Sequence, residues 1–154
     1  GTQGYRDDIA HVLHSPAVCD GPADCRRAVR EQVRRGADHI KLTATGGVLS
    51  NTAAGLEQQF FPDELAAIVE SGHAMERKVT AHAHGLSGVN AALKAGVDSI
   101  EHGTFLDDES IRLFKKSGAY LVPTLLAGAT VAAWPDDPNS FLLPPQRAKA
   151  REAG

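Results

Sequence analysis

Residues 79–102 read VTAHAHGLSGVNAALKAGVDSIEH. We expect a strand over residues 78–83, a helix over 86–95 that ends at Gly96, and a second strand over 97–102. Glycine commonly follows a helix, because it adopts the left-handed backbone conformation without a steric penalty. Parallel strands need a crossover connection, and a helix of this kind provides one. The segment therefore predicts a β-α-β unit of a parallel sheet.

The same pattern recurs on either side of this unit. Residues 36–41 read GADHIK, residues 96–101 read GVDSIE, and GAYLV at residues 118–122 is a weaker copy. Each copy follows a predicted helix and begins a predicted strand, which is typical of repeated βα units. The other predicted elements are a helix over 23–35, a strand over 38–42, a long loop over 43–61, a helix from Pro62, a helix over 107–117, a strand over 119–124, an irregular loop through 134–145 and a helix over 146–153.

The chain length limits how these units can close. A complete (β/α)8 barrel takes about 250 residues and rarely fewer than about 200, whereas this chain has 154 residues. An open flavodoxin-like sheet would fit the length, but no glycine-rich phosphate turn of the dinucleotide type follows a first strand. We therefore expect an α/β fold, a partial (β/α)8 TIM barrel of about four to five βα units.

Composition and charge exclude several classes of protein. Apolar residues make up 42% of the chain and charged residues 23%, which is enough for a packed core. A net charge of −3 and a pI of about 6.2 argue against a nucleic-acid partner. No run approaches the roughly 18 apolar residues of a membrane-spanning helix. No signal peptide is visible either, so we expect a cytoplasmic protein without a membrane partner.

Two cysteines, Cys19 and Cys25, lie six residues apart. This spacing matches no recognised metal or redox motif. We interpret both side chains as the reduced thiols of a cytoplasmic protein, with a local disulfide as the alternative for an exported one.

Polar side chains stand at the ends of three successive predicted strands, at Lys41, His82 and His102. The carboxyl ends of parallel barrel strands converge on one mouth, so these side chains are expected to meet there. Buried polar groups are costly unless they bind something. The two histidines are suitable ligands for zinc or a similar divalent metal. A lysine ammonium cannot coordinate a metal, but its carbamate is an anionic oxygen ligand that can bridge two cations.

Each of these residues also has a simpler explanation. Lys41 alone suits a barrel-mouth lysine or the Schiff-base lysine of a barrel lyase, and a lone histidine suits a hydrogen-bonded core position. His84 follows the strand end and is either a substrate contact or a turn residue. Glu101 precedes His102, so we expect its side chain to point away from the barrel axis. Gly46 and Gly47 lack a following Lys-Ser/Thr pair and are interpreted as a flexible loop on the substrate side.

Three separated motifs and one leading segment together resemble the amidohydrolase superfamily. The branch resembled contains imidazolonepropionase-like proteins, Xaa-Pro and Xaa-Arg dipeptidases and ochratoxin-hydrolysing amidases. The resemblance covers residues 18–124. The motifs are GADHIKLTATGGVLS (36–50), VTAHAHGLSGVNAALKAGVDSIEHGTFLDDE (79–109) and LVPTL (121–125), and the leading segment is CDGPADCRRAVREQVRRGAD (19–38).

The resemblance implies a barrel with one or two divalent metals, usually zinc. It identifies Lys41 with the carbamylated strand-4 lysine that bridges the metals, and His82 and His102 with the ligands on strands 5 and 6. His84 matches a position that contacts substrate. Gly46 and Gly47 match the loop beyond the lysine. Tyr5 stands on the substrate side, where many relatives have a histidine.

The resemblance also implies that residues 1–154 are the central part of a barrel domain, strands 3–7. The family's strand-1 His-x-His pair and strand-8 Asp are absent from this sequence, so we expect the isolated segment to lack activity. The expected function is metal-dependent hydrolysis of carbon–nitrogen bonds in a small or dipeptide-like amide by metal-activated water. The alternatives are a Schiff-base lyase that uses Lys41 and an inactive binding module. The oligomeric state is left open, with a homo-oligomer as one alternative.

Overall fold

Four parallel strands form one sheet in this computed structural model, which describes residues 17–51 and 55–154. The strand order is β1-β2-β3-β4, so spatial order follows chain order. The strands are β1 (His39–Thr43), β2 (Lys78–Ala83), β3 (Ser99–His102) and β4 (Tyr120–Val122). The helices are α1 (Pro22–Arg34), α2 (Pro62–Ala74), α3 (Leu86–Ala95), α4 (Asp108–Ser117), α5 (Leu125–Ala133) and α6 (Pro144–Ala153), with a 3-10 turn at Trp134–Asp136.

The sequential strand order distinguishes a partial (β/α)8 barrel from an open flavodoxin-like sheet. In a doubly wound sheet the strand order reverses at a switch point, and no reversal occurs among these four strands. Helices α2, α3 and α4 provide the three crossovers, and each packs against the next. This is the arrangement of an arc of a (β/α)8 barrel, so the predicted partial TIM barrel is confirmed.

The core lies between the helices and one face of the sheet. Alternate strand residues point to opposite faces, and the residues that face the helices are small or branched and buried. These residues are Ile40, Leu42, Val79, Ala81, Ala83 and Ile100. The opposite face carries His39, Lys41 and Tyr120, which are exposed. This second face carries the candidate metal ligands Lys41 and His82.

The helix α5 was not predicted from the sequence. Its nine residues, LLAGATVAA, contain strong helix formers and no proline, but the apolar residues follow no amphipathic period that marks a helix. No residue of α5 is buried, and Leu125 and Leu126 are 75% and 83% exposed.

Among the helices of residues 17–51 and 55–154, none has both the length and the apolar composition to cross a bilayer.

A second apolar cluster joins the end of the chain to the segment after β1. Val48 and Leu56 are buried against Leu142 and Ala150, with Trp134 packed alongside. Helix α6 therefore lies against the stretch that follows β1, on the side where the strands end.

The interpretation of both cysteines as reduced thiols is wrong. Cys19 and Cys25 form a disulfide, with their Cα atoms 4.9 Å apart. The turn at Gly21, which has a positive φ of 77°, reverses the chain just before α1. That turn returns Cys25, in the first part of α1, to within disulfide distance of Cys19.

Asp98 connects the amino ends of β2 and β3, and its replacement by alanine should destabilise the fold. The carboxylate accepts hydrogen bonds from the main-chain N–H of Val79 (2.8 Å) and the Lys78 ammonium (2.6 Å), and it contacts His73 (2.8 Å). Burial opposes ionisation of Asp98, but these partners outweigh it and lower the pKa from 3.8 to about 2. We expect Asp98→Ala to lower the free energy of unfolding by about 1–2 kcal/mol in urea titrations at pH 7.

The effect should depend on pH in a defined direction. Because the pKa of Asp98 is lower in the folded state, its contribution is complete above about pH 4 and is lost as the pH falls towards 2. The matched control is Asp38→Ala, since Asp38 holds the equivalent position of the GAD/GVD repeat but is exposed. Equal unfolding free energies of the two variants at pH 7 would refute this role of Asp98.

Candidate metal centre

Three histidine rings meet where β2 and β3 end. His82 belongs to β2, His84 follows its last residue, and His102 ends β3. The ring centroids are 4.7 Å apart for His82–His84 and His82–His102, and 4.6 Å apart for His84–His102. One ring nitrogen from each side chain lies within 4.8 Å of the others. The structure therefore brings together two of the predicted ligands, His82 and His102, and the predicted substrate contact, His84.

The backbone at His102 explains how its side chain reaches this cluster. In the sheet register Ala83 pairs with His102 and His82 pairs with Glu101. A regular strand would therefore place Glu101, rather than His102, on the face that His82 occupies. His102 has a φ of +76°, a left-handed conformation that is uncommon outside glycine. This turn of the backbone at the strand end accompanies the placement of its ring beside His82 and His84.

The expected orientation of Glu101 is therefore wrong. Its carboxylate lies 3.5 Å from the Thr80 hydroxyl, which also contacts the Ser99 hydroxyl. These side chains occupy the sheet face opposite the helix-packed core. Simple alternation does not predict the side-chain directions here, because the strand is not regular through His102.

Each of two histidines is fixed by a threonine from the segment after a strand. His84 Nδ1 lies 2.8 Å from Thr104 Oγ1, and His102 Nδ1 lies 2.7 Å from Thr124 Oγ1. Metal-binding histidines usually bond through their second ring nitrogen to a fixed partner, which sets the tautomer and ring orientation. Both threonines fall within the quoted motifs, but no spacing or residue pattern in the sequence marks either of them as a histidine partner.

His82 is held differently and has one unsatisfied atom. A backbone hydrogen bond connects its ring to Gly46. Its Nε2 atom is buried and has no hydrogen-bond partner within residues 17–51 and 55–154. A buried ring nitrogen without a partner is unfavourable, and such groups are rare in folded proteins. A cation at this point would satisfy it, so the donor set fits a divalent metal.

The electrostatic environment keeps the rings neutral at pH 7. Burial, followed by the charge of His102, lowers the pKa of His82 to about 4. Burial likewise lowers the pKa of His84 to about 3, with His82 and His102 adding to the effect, and it lowers the pKa of His102. Neutral imidazole is the form that coordinates metals.

Lys41 lies on the same sheet face as His82. It pairs in register with Thr80 on the neighbouring strand, and its side chain is exposed. Its charge contributes to the lowered pKa values of both His82 and His102, which places it in the same electrostatic environment.

The stretch predicted as a long loop over 43–61 is partly ordered by an antiparallel pairing. Thr45 forms a bridge with Gln58, and Gly46 donates its N–H to the Glu57 carbonyl (3.2 Å). Gly47 lies beside the histidines, since a Cβ built there would be 3.6 Å from His82 Nε2. Tyr5 lies outside the described residues.

A cavity of about 520 Å³ opens on the three histidines. Its opposite wall consists of small and apolar side chains from α5 and α6. These residues are Ala127, Gly128, Val131, Ala132, Ala150 and Ala153. The cavity therefore combines a polar, nitrogen-rich floor with an apolar wall, as binding sites for small molecules often do.

The chain is similar in sequence and fold to several known proteins. Ochratoxinase of Aspergillus niger is 46% identical over 107 residues, which are 70% of this chain and 22% of that protein. The crystal structure of a Xaa-Pro dipeptidase with bound methionine in the active site is 41% identical, with a TM-score of 0.89 over 99% of this chain and 37% of that one. The crystal structure of A. niger ochratoxinase matches with a TM-score of 0.74 and 39% identity over 88% of this chain and 30% of that one.

This chain thus spans between about a fifth and two fifths of the length of these relatives. The sequence profile of the Amidohydrolase family matches residues 6–153. That match covers the three histidines, the lysine and the wall of the cavity. The chain belongs to the amidohydrolase family.

Proposed function

We propose that this chain contributes the central metal-binding portion of a metal-dependent hydrolase of amide bonds. The observation that carries the proposal is the buried, unpartnered Nε2 atom of His82 beside two further neutral histidines. Family membership supports hydrolysis of carbon–nitrogen bonds, and the cluster supports a metal. The metal we propose is zinc, as one or two ions.

The residues of the chain divide into two roles. His82 and His102, with Lys41 as a carbamate, would hold the metal. When bound, the metal supplies Lewis acidity towards the amide carbonyl and a lowered pKa for an attacking water. The Thr124 hydroxyl beside Nδ1 of His102 fixes the orientation of that ring and leaves its Nε2 free to act as a ligand.

His84 has the second role, as a hydrogen-bond donor to the substrate. Its ring is neutral at pH 7, because its pKa is about 3. If the Thr104 hydroxyl donates to Nδ1, the proton of His84 resides on Nε2. The N–H group there would stabilise the developing oxyanion of the substrate carbonyl.

The substrate class follows from the cavity and the relatives. The apolar wall of α5 and α6 suits an amide with an apolar substituent, and two relatives are described as an ochratoxinase and a Xaa-Pro dipeptidase. We propose a small or dipeptide-like amide. Gly47 lines the cavity and would contact the substrate, with Gly46 beside it. A role of Tyr5 on the substrate side remains a prediction, as do the homo-oligomer and the absence of a nucleic-acid partner.

A cytoplasmic location also remains a prediction. The disulfide between Cys19 and Cys25 is evidence against it, because disulfides are rare in cytosolic proteins and persist in oxidising compartments.

Zinc titration with a competing chromophoric chelator tests the proposal directly on the chain. We expect saturable binding of zinc, and loss of dipeptide hydrolysis by the complete protein after dialysis against a chelator, with recovery on zinc addition. Unchanged hydrolysis after complete metal removal would refute the mechanism. Irreversible labelling of Lys41 by borohydride in the presence of a carbonyl substrate would instead support the Schiff-base lyase, since a carbamate does not form that adduct.

A further inference from the structure

Lys149 is a buried lysine in the middle of α6. The residue is only 5% exposed, and its Nζ donates hydrogen bonds to the main-chain carbonyls of Gly47 and Ser50, both at 2.8 Å. These contacts connect residues about one hundred positions apart in the sequence. The lysine is therefore held by the segment that follows β1 rather than by its own helix.

The environment of this ammonium is unusual. Buried lysines normally have a carboxylate partner, but no ion pair to Lys149 occurs within residues 17–51 and 55–154. Burial lowers its pKa. Such a charge is unfavourable for stability, and an apolar side chain of similar length would fill the same volume at a lower desolvation penalty. The position therefore calls for an explanation other than stability.

The segment that Lys149 holds is next to the histidine cluster. The main chain of Gly46 hydrogen-bonds the ring of His82, and Gly47 lies beside His82 Nε2. Gln146, one turn earlier on α6, donates to the Leu49 carbonyl at 2.6 Å. Side chains of α6 thus donate hydrogen bonds to three main-chain carbonyls, those of Gly47, Leu49 and Ser50. These residues directly follow Gly46, which contacts the His82 ring.

We propose that Lys149 is a positioning residue for the metal centre: it fixes residues 46–50 so that Gly46 orients the His82 ring with Nε2 towards the metal. The metal in this inference rests on the proposed function. The ordering of residues 46–50 rests only on the hydrogen bonds that Lys149 donates to Gly47 and Ser50. The ammonium is suited to the task because it donates to two carbonyls at once.

The test compares Lys149→Met with Arg151→Met in the full chain. Methionine has a similar length but no donor. Arg151 lies on the same helix and contacts Pro135 and Asp136 instead of residues 46–50, so it is the matched control. Two quantities are measured, amide hydrogen exchange of residues 46–50 and zinc affinity by chelator competition. Thermal unfolding is recorded for each variant.

For Lys149→Met we expect faster exchange of residues 46–50, unchanged exchange in β2, and zinc binding weakened about 10–100-fold. The control should match the parent chain in both measurements. Unchanged exchange in Lys149→Met overturns the inference whether or not zinc binds. So does faster exchange with unchanged affinity. A parent chain that binds no zinc refutes the proposed function. In that case amide hydrogen exchange still tests whether Lys149 orders residues 46–50. If Lys149→Met does not fold, Lys149→Gln, which keeps one donor, replaces it.

Discussion

Replacement of His82 by asparagine is expected to weaken zinc binding by more than about 100-fold. Loss of a partner outside the ligand set typically lowers metal affinity about 10–100-fold, so loss of a ligand should cost more. Asparagine keeps a polar side chain of smaller size, and it removes the buried Nε2 atom. The measurement is competition for zinc against a chromophoric chelator at pH 7, with activity of the complete protein as a second readout.

The control for this substitution is His39→Asn. His39 lies on β1, one strand away, with an exposed side chain on the open face of the same sheet. The His39→Asn substitution removes one histidine that is not part of the cluster of His82, His84 and His102. It should therefore leave zinc affinity unchanged. If both variants bind zinc as tightly as the parent chain, His82 is not a ligand and the proposed centre is wrong.

Replacement of Gly46 by alanine is expected to destabilise the fold by about 1–3 kcal/mol. A Cβ added at Gly46 would overlap the main-chain carbonyl oxygen of Gly55, which cannot rotate away as the end of a side chain could. The N–H of Gly46 also donates to the Glu57 carbonyl, so a shift of the backbone would break the antiparallel pairing of Thr45 with Gln58. Urea unfolding measures the loss, and we expect weaker zinc binding alongside it, because Gly46 orients His82.

Gly128→Ala serves as the comparison. Gly128 is inside α5, and a Cβ added there meets no atom within 4 Å. Alanine is favoured over glycine in a helix interior by roughly 0.5–1 kcal/mol, so this variant should be neutral or more stable. A simple flexible loop at residues 46 and 47 predicts instead that Gly46→Ala is tolerated as well as Gly128→Ala. That result would contradict the close approach described here.

Local patterns in the sequence predicted most of the elements and the neighbourhood of the site. Strand β2 and helix α3 begin and end where the pattern placed them, and the helices α3 and α4 stop at Gly96 and Gly118, which both have a positive φ. The convergence of His82 and His102 followed from the rule that parallel strands end at one edge. These features depend on residues that are near one another in the chain.

Other parts of the site could not be predicted in this way. The left-handed backbone of His102 and its threonine partner Thr124 depend on the conformation at the end of a strand, which alternation does not specify. For the same reason the Glu101 side chain lies on the face opposite to the one expected, near the Thr80 hydroxyl. Helix α5 lacks an amphipathic period, so only the tertiary structure reveals that it forms a wall of the cavity.

The sequence by itself determined the βα repeat, the parallel sheet and the identity of the polar residues at the strand ends, because periodicity, glycine stops and strand polarity are local properties. The tertiary structure alone decided which atoms are buried, which nitrogen lacks a partner and which distant side chain supports it. Lys149 is the clearest case, since its contacts with Gly47 and Ser50 arise only when α6 folds back over the strand ends. Burial and long-range hydrogen bonds depend on packing between segments far apart in the chain, and no local pattern encodes them.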